Sequence, residues 1–344
     1  MTKTLVNKPV SMAKYGLDRP ESADDVHVPF TLENLDCRGR SVKLASALHQ
    51  IISSHNYPDP VSRVLGEAVA LTTLVGSSMK FSGRFILQTQ TDGPVNMIVV
   101  DLDTPDGLRA YVRYNKDALE QLDRKNNTDS ARLLGKGHMA MTVDQGEHTE
   151  RYQGIVEING SGLETAAEHY FAQSEQIPTR VRLAVGSHRA IGDKNSRWRA
   201  GGMMVQYLPK ATQKAIQQES ESTEIIDLPG DGISQGIDND SDADNWAEAQ
   251  ALFASIGDDE LLDPQISIER LLLRLFHEKG VTIFDPGPLV ARCSCSPERT
   301  EDMLQENFSA KERQDMAVDG EIEITCEFCS TTYHFNPNLF VADD

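Results

Sequence analysis

The sequence lacks several features that mark common classes of protein. Aromatic residues make up 6% of its 344 residues, and no apolar run approaches the roughly 18 residues of a membrane-spanning helix. The first 25 residues are polar, without an apolar stretch and cleavage site, so no secretory signal is predicted. No glycine-rich phosphate-binding loop occurs. We therefore expect neither an ATP site nor a dinucleotide site, and no membrane partner.

Basic residues are missing from one long segment. Between Ala215 and Glu269 there are 15 Asp or Glu residues and no Lys or Arg, so this segment carries −15 of the formal net charge of −20. Proteins that bind duplex nucleic acid contact its phosphates with clustered Lys and Arg. A nucleic-acid partner is therefore not predicted. Residues 217–245 are rich in Ser, Gly and Asp, which is typical of a solvated linker or insertion.

Cysteine is also scarce. The chain has five cysteines, and four of them form two close pairs near the C-terminus, Cys293-x-Cys295 and, after thirty further residues, Cys326-x-x-Cys329. An odd number of cysteines, four of them at metal-binding spacing, favours a reducing cytoplasm over an oxidising compartment. Cys37 is expected to be an ordinary free thiol.

The two cysteine pairs predict a tetrahedral metal site, and zinc is the usual occupant of four sulfur ligands. Four thiolates fill the coordination sphere, so a structural zinc is expected rather than a catalytic one. His334 could replace one sulfur, but with four cysteines available we interpret it as a surface or near-ligand histidine. Zinc-bound thiolates also react with oxidants. A redox role is therefore chemically open, and the spacing alone does not decide it.

The hydrophobic pattern predicts an α+β fold, with a mainly antiparallel N-terminal sheet domain, a helical linker and a small C-terminal cysteine module. Helices are predicted over residues 59–80 and 163–173, with an earlier one around Val42, Leu44, Leu48 and Ile51. A hairpin turn is predicted at residues 91–94. Strands are predicted over residues 84–90, 95–102, 108–114, 139–144, 152–158, 180–185 and 203–208.

Two short apolar helices are predicted after the acidic segment, on either side of Pro264. Each has more apolar surface than it could leave in water, so both should pack on a neighbouring domain. The pattern does not distinguish helices that stay docked from helices whose docking is regulated. The first helix face comprises Trp246, Leu252, Phe253 and Ile256, and the second comprises Ile268, Leu271, Leu272, Leu275 and Phe276, with Gly280 ending the second helix.

These observations divide the chain into five parts. We predict an N-terminal tail over residues 1–25, a core domain over 26–210, an acidic insertion over 211–245, a helical linker over 246–286 and a zinc-binding domain over 287–344.

Several segments lie in an order that matches a known family. They are Tyr57-Pro58, Leu65-Gly66-Glu67-Ala68, Thr91-Asp92-Gly93-Pro94, Tyr170-Phe171-Ala172-Gln173-Ser174-Glu175-Gln176-Ile177-Pro178-Thr179, Ala200-Gly201-Gly202, Gln206-Tyr207-Leu208-Pro209, Leu272-Leu273-Arg274-Leu275-Phe276-His277-Glu278, Arg292-Cys293-Ser294-Cys295-Ser296 and Thr325-Cys326-Glu327-Phe328-Cys329. Over nearly its whole length the chain resembles the redox-regulated heat-shock protein 33 family of ATP-independent chaperones. The acidic insertion is longer and more acidic than the join usual in that family.

The resemblance implies a mechanism. Reduced protein would hold one zinc ion on Cys293, Cys295, Cys326 and Cys329, while the linker helices cover a client-binding surface. Oxidants would release the zinc and form two disulfides, Cys293–Cys295 and Cys326–Cys329. The linker would then detach, and the protein would dimerise and bind unfolding client proteins, with possible hand-over to ATP-dependent chaperones. A cytoplasmic, non-enzymatic protein is implied, and no client-binding residue is predicted.

Two other interpretations compete with this one. A structural zinc-ribbon adaptor would keep its metal and its binding properties under oxidants. A thiol–disulfide oxidoreductase would use Cys326-x-x-Cys329 catalytically, but all four thiols are expected to serve one metal. We therefore rank this last.

Overall fold

The computed structural model describes residues 24–124, 128–146, 151–189, 196–208 and 240–337. The predicted α+β class is confirmed in these ranges, with antiparallel sheets, packed helices and a C-terminal cluster of four cysteines. Most of the predicted tail, the acidic insertion up to residue 239 and the chain end beyond residue 337 lie outside the described residues. No helix in the described ranges is long and apolar enough to cross a membrane.

The strands of the described chain form two large sheets and one small hairpin. In chain order they are β1 (Val26–Leu32), β2 (Cys37–Leu44), β3 (Arg84–Thr91), β4 (Val95–Asp103), β5 (Gly107–Tyr114), β6 (Lys136–Asp144), β7 (Tyr152–Asn159), β8 (Thr179–His188), β9 (Arg197–Tyr207), β10 (Val281–Ile283), β11 (Gly287–Pro288), β12 (Val290–Ala291), β13 (Ile322–Thr325) and β14 (Thr332–Phe335).

The helices connect these strands and cover the sheets. In chain order they are α1 (Ser46–Ser53), α2 (Asp59–Gly76), α3 (Lys116–Asp123), α4 (Ser130–Leu134), α5 (Gly162–Tyr170), α6 (Asp240–Phe253), α7 (Asp258–Leu262), α8 (Ile268–Phe276), α9 (Pro297–Asn307) and α10 (Ala310–Met316).

Sheet A has the strand order β10-β1-β2-β9-β8, with β11 also paired to β1, and all its pairs are antiparallel. Sheet B has the order β12-β5-β4-β3-β6-β7, and only the β12–β5 pair is parallel. The chain that follows α8 therefore returns to both sheets. It adds β10 and β11 to sheet A and β12 to the edge of sheet B, immediately before the first cysteine pair.

Helix α2 lies between the two sheets and is buried on nearly all sides. It begins at Asp59-Pro60 as predicted, since proline suits the first helical turn. Two of its buried hydroxyls are satisfied within the helix: Thr72 donates to the Ala68 carbonyl and Thr73 to the Val69 carbonyl. A helix that is apolar all round needs partners on both sides, and here sheets A and B supply them.

All seven predicted strands and the predicted hairpin turn are present, although β9 begins at Arg197 rather than at residue 203. The helix predicted to reach residue 80 ends at Gly76. The helix predicted over residues 163–173 is helix α5, followed by a wider turn from Phe171 to Glu175. Sequence patterning did not find β1 and β2.

The predicted helix around Val42 and Leu44 was wrong in its first half. Both residues belong to strand β2, and helix α1 starts only at Ser46. Strand β2 pairs along its whole length with β1 on one side and β9 on the other. Strand β1 lies just before β2, but β9 is far away in the sequence, so local periodicity did not reveal that Val42 belongs to a sheet.

The second face of sheet A is covered by helices α6–α8. The residues predicted to line the two linker helices are buried there or packed against the buried cluster. The sheet contributes Val28, Phe30, Leu32, Cys37, Ala184, Met203, Val205 and Tyr207 to this cluster. We call these eight residues the apolar face of sheet A. The short helix α7 between the two predicted helices was not expected.

Candidate metal centre

The four predicted cysteine ligands come together in the structure. Their Sγ atoms all lie within 4.8 Å of one another. Three sulfur–sulfur distances are short: 3.4 Å for Cys293–Cys295, 3.4 Å for Cys295–Cys329 and 3.7 Å for Cys293–Cys326. Zinc–sulfur bonds of about 2.3 Å place tetrahedral sulfurs about 3.8 Å apart. Both the donor type and the spacing therefore fit one zinc ion.

The first arm of the centre, residues 293–295, is positioned by sheet B. The backbone amide of Arg292 donates to the Leu108 carbonyl at 2.8 Å, which continues the β12–β5 pairing up to Cys293. Directly after the arm, the Ser296 hydroxyl accepts from the Arg299 amide and Pro297 starts α9. This N-cap turns the chain away at once, so the two thiols are presented at the end of a strand.

The second arm, residues 326–329, forms the turn of the β13–β14 hairpin. The Cys326 amide donates to the Thr331 carbonyl and the Ser330 amide donates to the Cys326 carbonyl, both at 2.9 Å. Ser330 has a left-handed φ of 56°. This tight turn brings both sulfurs to one side of the hairpin.

His334 is not part of the sulfur cluster. Its Nδ1 lies 3.3 Å from the Glu321 carboxylate on an exposed part of β14. A neighbouring residue makes the closer approach: the Tyr333 hydroxyl donates to the Cys295 sulfur at 3.2 Å. This bond raises the pKa of Tyr333 to about 12, so the phenol remains a donor at neutral pH.

Without metal, the thiols have different proton affinities. Burial raises the pKa of Cys293 to about 12, and burial also raises the pKa of Cys326. For Cys329, burial acts in the same direction, but hydrogen bonds from Thr331 and the neighbouring thiols outweigh it and bring the pKa to about 7. Thiolates are both the metal ligands and the nucleophiles. Among these three thiols, Cys329 therefore ionises most readily.

The second arm also packs against the outward surface of strand β5. The Arg109 guanidinium lies 4.1 Å from the centroid of the Phe328 ring, and the Tyr111 ring meets the same ring edge-on at 4.9 Å. Arg113 binds the Glu327 carboxylate at 2.7 Å and 3.0 Å. These residues alternate with buried core residues along β5, so one strand face serves the core and the other holds the cysteine centre.

Residue His55, just after α1, adds two further bonds to the same turn. Its Nε2 lies 3.0 Å from the Phe328 carbonyl oxygen and its Nδ1 lies 3.0 Å from the Ser330 hydroxyl. The imidazole stacks on Tyr57 with ring centroids 4.8 Å apart. Burial lowers the pKa of His55, which favours the neutral ring in this contact.

A comparison with known proteins agrees with this arrangement. The family model described as Hsp33 protein matches residues 25–336. The chain belongs to the Hsp33 family. It is 44% identical over 316 residues to a 33 kDa chaperonin of Caulobacter vibrioides, covering 91% of this chain and 95% of that one. It is 32% identical over 313 residues to a 33 kDa chaperonin of Escherichia coli, with coverages of 91% and 92%.

A solved structure shares the fold. The crystal structure of a 33 kDa chaperonin, a heat shock protein 33 homologue from Thermotoga maritima, superposes with a TM-score of 0.68. It is 21% identical and covers 91% of this chain and 96% of that chain.

In this Hsp33-family chain, a second contact region lies between sheet A and the turn from α7 to α8. The buried Lys43 ammonium donates to the carbonyls of Asp263, at 2.7 Å, and Ile266. Arg199 donates to the Leu262 carbonyl at 3.0 Å. Burial lowers the pKa of Lys43 to about 8. Covering the lysine therefore has an electrostatic cost, which the two carbonyls partly offset.

Sequence reasoning missed the residues that connect the centre to the core of this Hsp33-family chain, which are His55, Arg109, Tyr111 and Arg113. It also missed Tyr333, which bonds Cys295 within the module, and Lys43, which binds the turn between α7 and α8. The only available signal was the alternation in strand 108–114, where Arg and Tyr occupy the positions facing away from the core. That pattern also describes an ordinary solvated strand face.

Proposed function

We propose that this chain is an ATP-independent chaperone, a holdase for unfolding proteins, that is switched on by oxidation of Cys293, Cys295, Cys326 and Cys329. One observation carries the proposal. The four thiols lie in a module with almost no core of its own, and that module is docked on the same core whose apolar face is covered by helices α6–α8.

The reduced state is the closed state. One zinc ion on the four thiolates would cross-link the two arms and stabilise the module. In the described part of this module the buried apolar cluster consists of Leu304 and Ile322, with five partly buried apolar residues packed against them, so the module's own core is small. Structural zinc contributes on the order of 10 kcal/mol to folds of this kind.

Oxidation removes that support. Each pair of thiolates gives two electrons to hydrogen peroxide, which takes up two protons from water and is reduced to two water molecules while the two thiolates become one disulfide. The proposed disulfides are Cys293–Cys295 and Cys326–Cys329, as the family resemblance implies. Disulfide sulfurs are not anionic ligands, so the zinc ion is released. The short sulfur–sulfur distances include pairs within an arm and between arms, so peptide mapping of the oxidised protein has to test this pairing.

Unfolding of the module would then free the linker. Cys293 directly follows β12, and strands β10 and β11 lie between it and helix α8. Loss of the module would remove the anchor at this end, and the covering helices would detach from sheet A. The uncovered surfaces are rich in large apolar side chains, which suits the binding of unfolded chains.

The remaining parts of the proposal follow the family resemblance. The partners are unfolding client proteins, the oxidised form is a homodimer, and clients are handed over to ATP-dependent chaperones. The protein acts in the cytoplasm and is neither an enzyme nor a nucleic-acid or membrane binder. We propose the division into a core over residues 26–210, an insertion over 211–245, a linker over 246–286 and a zinc-binding domain over 287–344.

Aggregation of a heat-unfolding client tests the proposal. Light scattering is recorded with reduced, zinc-loaded protein and with peroxide-treated protein, while a chelating dye reports released zinc in the same cuvette. We expect suppression only after oxidation, in step with release of one zinc ion per chain. Equal scattering in both forms, with zinc retained, would instead establish the structural zinc-ribbon adaptor, which the closed four-sulfur coordination also fits.

A further inference from the structure

Arg109 contacts both arms of the cysteine centre. Its Nη1 donates to the Ser294 hydroxyl at 2.7 Å, and its guanidinium lies 4.1 Å from the Phe328 ring centroid. Ser294 separates the two cysteines of the first arm, and Phe328 lies between those of the second. One side chain from sheet B therefore bridges two loops that are 30 residues apart in sequence.

The bridging arginine is itself fixed. Its Nη2 and Nε lie 2.6 Å and 2.8 Å from one carboxylate oxygen of Asp101 on strand β4. The Asp101 side chain is 4% exposed and that of Arg109 is 14% exposed. A planar guanidinium held in this way can donate on one edge and stack on its face at the same time. The side chain is therefore a rigid support for both arms.

We propose that Arg109 is a positioning residue of the four-cysteine centre, which ties both arms to sheet B and thereby slows metal loss from the reduced protein. The inference rests on the proposed function, since it names a control on the same switch. Separation of the two arms would draw sulfur ligands away from a shared metal ion. Because Arg109 contacts both arms, either movement breaks one of its contacts.

The neighbouring contacts differ in this respect. Tyr111, His55 and Arg113 contact the second arm or the turn residue after it. Arg299 donates to the Ser294 carbonyl in the first arm. Removal of such a residue frees one arm. Removal of Arg109 frees both arms and also removes the side chain that holds them in position relative to each other.

The test is the rate of zinc transfer from reduced protein to an excess of chelating dye, without oxidant or client. For Arg109→Gln we expect a rate increase of about tenfold, because one charge-assisted hydrogen bond and one cation–π contact are lost. The bound zinc at time zero should remain one ion per chain, since all four ligands are present.

Arg84→Gln is the matched control. Arg84 faces the same Asp101 from strand β3, at 3.6 Å, and binds Asp103 at 2.6 Å. Within the described residues it contacts neither arm. Its removal also takes a cation from Asp101, so a general loss of sheet stability should appear in both variants. We expect its zinc-transfer rate to stay within about twofold of the unmodified protein.

Two further variants separate positioning from folding. Arg109→Lys keeps the charge without the planar fork, so its rate should fall between those of the unmodified protein and Arg109→Gln. Phe328→Ala removes the stacking partner, and the Arg109→Gln/Phe328→Ala double variant should be faster by less than the product of the two single effects. Hydrogen exchange should rise in residues 292–296 and 326–330 but not in β3.

An unchanged transfer rate in Arg109→Gln, or an equal increase in Arg84→Gln, would overturn the inference. The result is independent of chaperone activity. Protein that fails to suppress client aggregation after losing zinc would refute the proposed function, and the transfer rates would still decide the role of Arg109.

Discussion

Helices α6–α8 and the C-terminal cysteine module are both docked on the core, but by different forces. The helices bury a continuous apolar cluster against sheet A, including Trp246, Phe253, Leu272 and Phe276. The module docks on sheet B through a few polar and aromatic contacts around Phe328. Apolar burial is non-directional and follows the area covered. The module's few contacts instead depend on the position of two short loops, which the thiols determine.

This contrast explains how one chemical event could open a large surface. The linker helices are stabilised by buried apolar area rather than by the four clustered thiols. In the proposed switch, oxidation of the thiols would destabilise the module strongly, because the apolar core of the module is small. The predictions below perturb the helices, the module and the shared core in turn and measure the response of each.

The largest effect is expected from Cys293→Ser/Cys295→Ser. Loss of two ligands should abolish tight zinc binding and unfold the module, removing a contribution on the order of 10 kcal/mol. Zinc per chain and hydrogen exchange over residues 292–336 provide the measurement. Cys37→Ala is the control, because Cys37 is buried under the linker helices, where burial raises its pKa to about 12. Stoichiometric zinc in the double variant would disprove the ligand assignment.

The next largest effect is expected from Phe276→Ala in helix α8. Phe276 is fully buried and stacks on Phe30 with centroids 6.1 Å apart. Its truncation should cost about 3–5 kcal/mol and raise hydrogen exchange over residues 258–276, while one zinc ion stays bound. Phe284→Ala, at a residue that is 49% exposed, should change neither. Zinc loss in Phe276→Ala would mean that zinc retention in the module also requires the docked helices.

A moderate effect on the shared core is expected from Glu67→Gln. The carboxylate accepts from the Ser130 hydroxyl at 2.6 Å, and burial raises its pKa from 4.5 to about 7. The folded state therefore keeps the proton that the unfolded state loses, and stability falls as pH rises from about 4.5 to about 7. The variant should lose this slope and gain on the order of 2 kcal/mol at about pH 8.

Urea unfolding at about pH 5 and about pH 8 measures this difference. Zinc content and the exchange of residues 258–276 should stay unchanged. An identical pH slope in the variant and the unmodified protein would show that Glu67 is not the titrating group.

The smallest effect is expected from Arg113→Gln. Its ion pair with Glu327 joins side chains that are 55% and 51% exposed, and exposed pairs of this kind contribute little to stability. Zinc transfer to a chelator should change less than twofold, and the small change should vanish at high salt. A large effect would mean that the charge pair, rather than the aromatic and arginine contacts, holds the second arm.

Local patterns were sufficient where the determining partners were near in sequence. The β3–β4 hairpin was predicted from its turn, and α2 from its N-terminal Asp59-Pro60 and its apolar repeat. Val42 was misplaced because its partner Gly202 on β9 lies far away in the chain, and the neighbouring strand β1 was not recognised. The docking residues of the metal centre were missed for the same reason. His55 and Phe328 are 273 residues apart, and nothing in either local sequence indicates the other.

The sequence by itself predicted four sulfur ligands and was sufficient to recognise the family, because short cysteine spacings and co-linear motifs need no knowledge of distant contacts. Only the tertiary structure decided that the cysteine centre lies on the outward face of β5, and that Arg109 meets both arms there. The physical reason is that strand alternation fixes which side chains share a face. Which segment of the chain covers that face depends on contacts between residues that are far apart in the sequence.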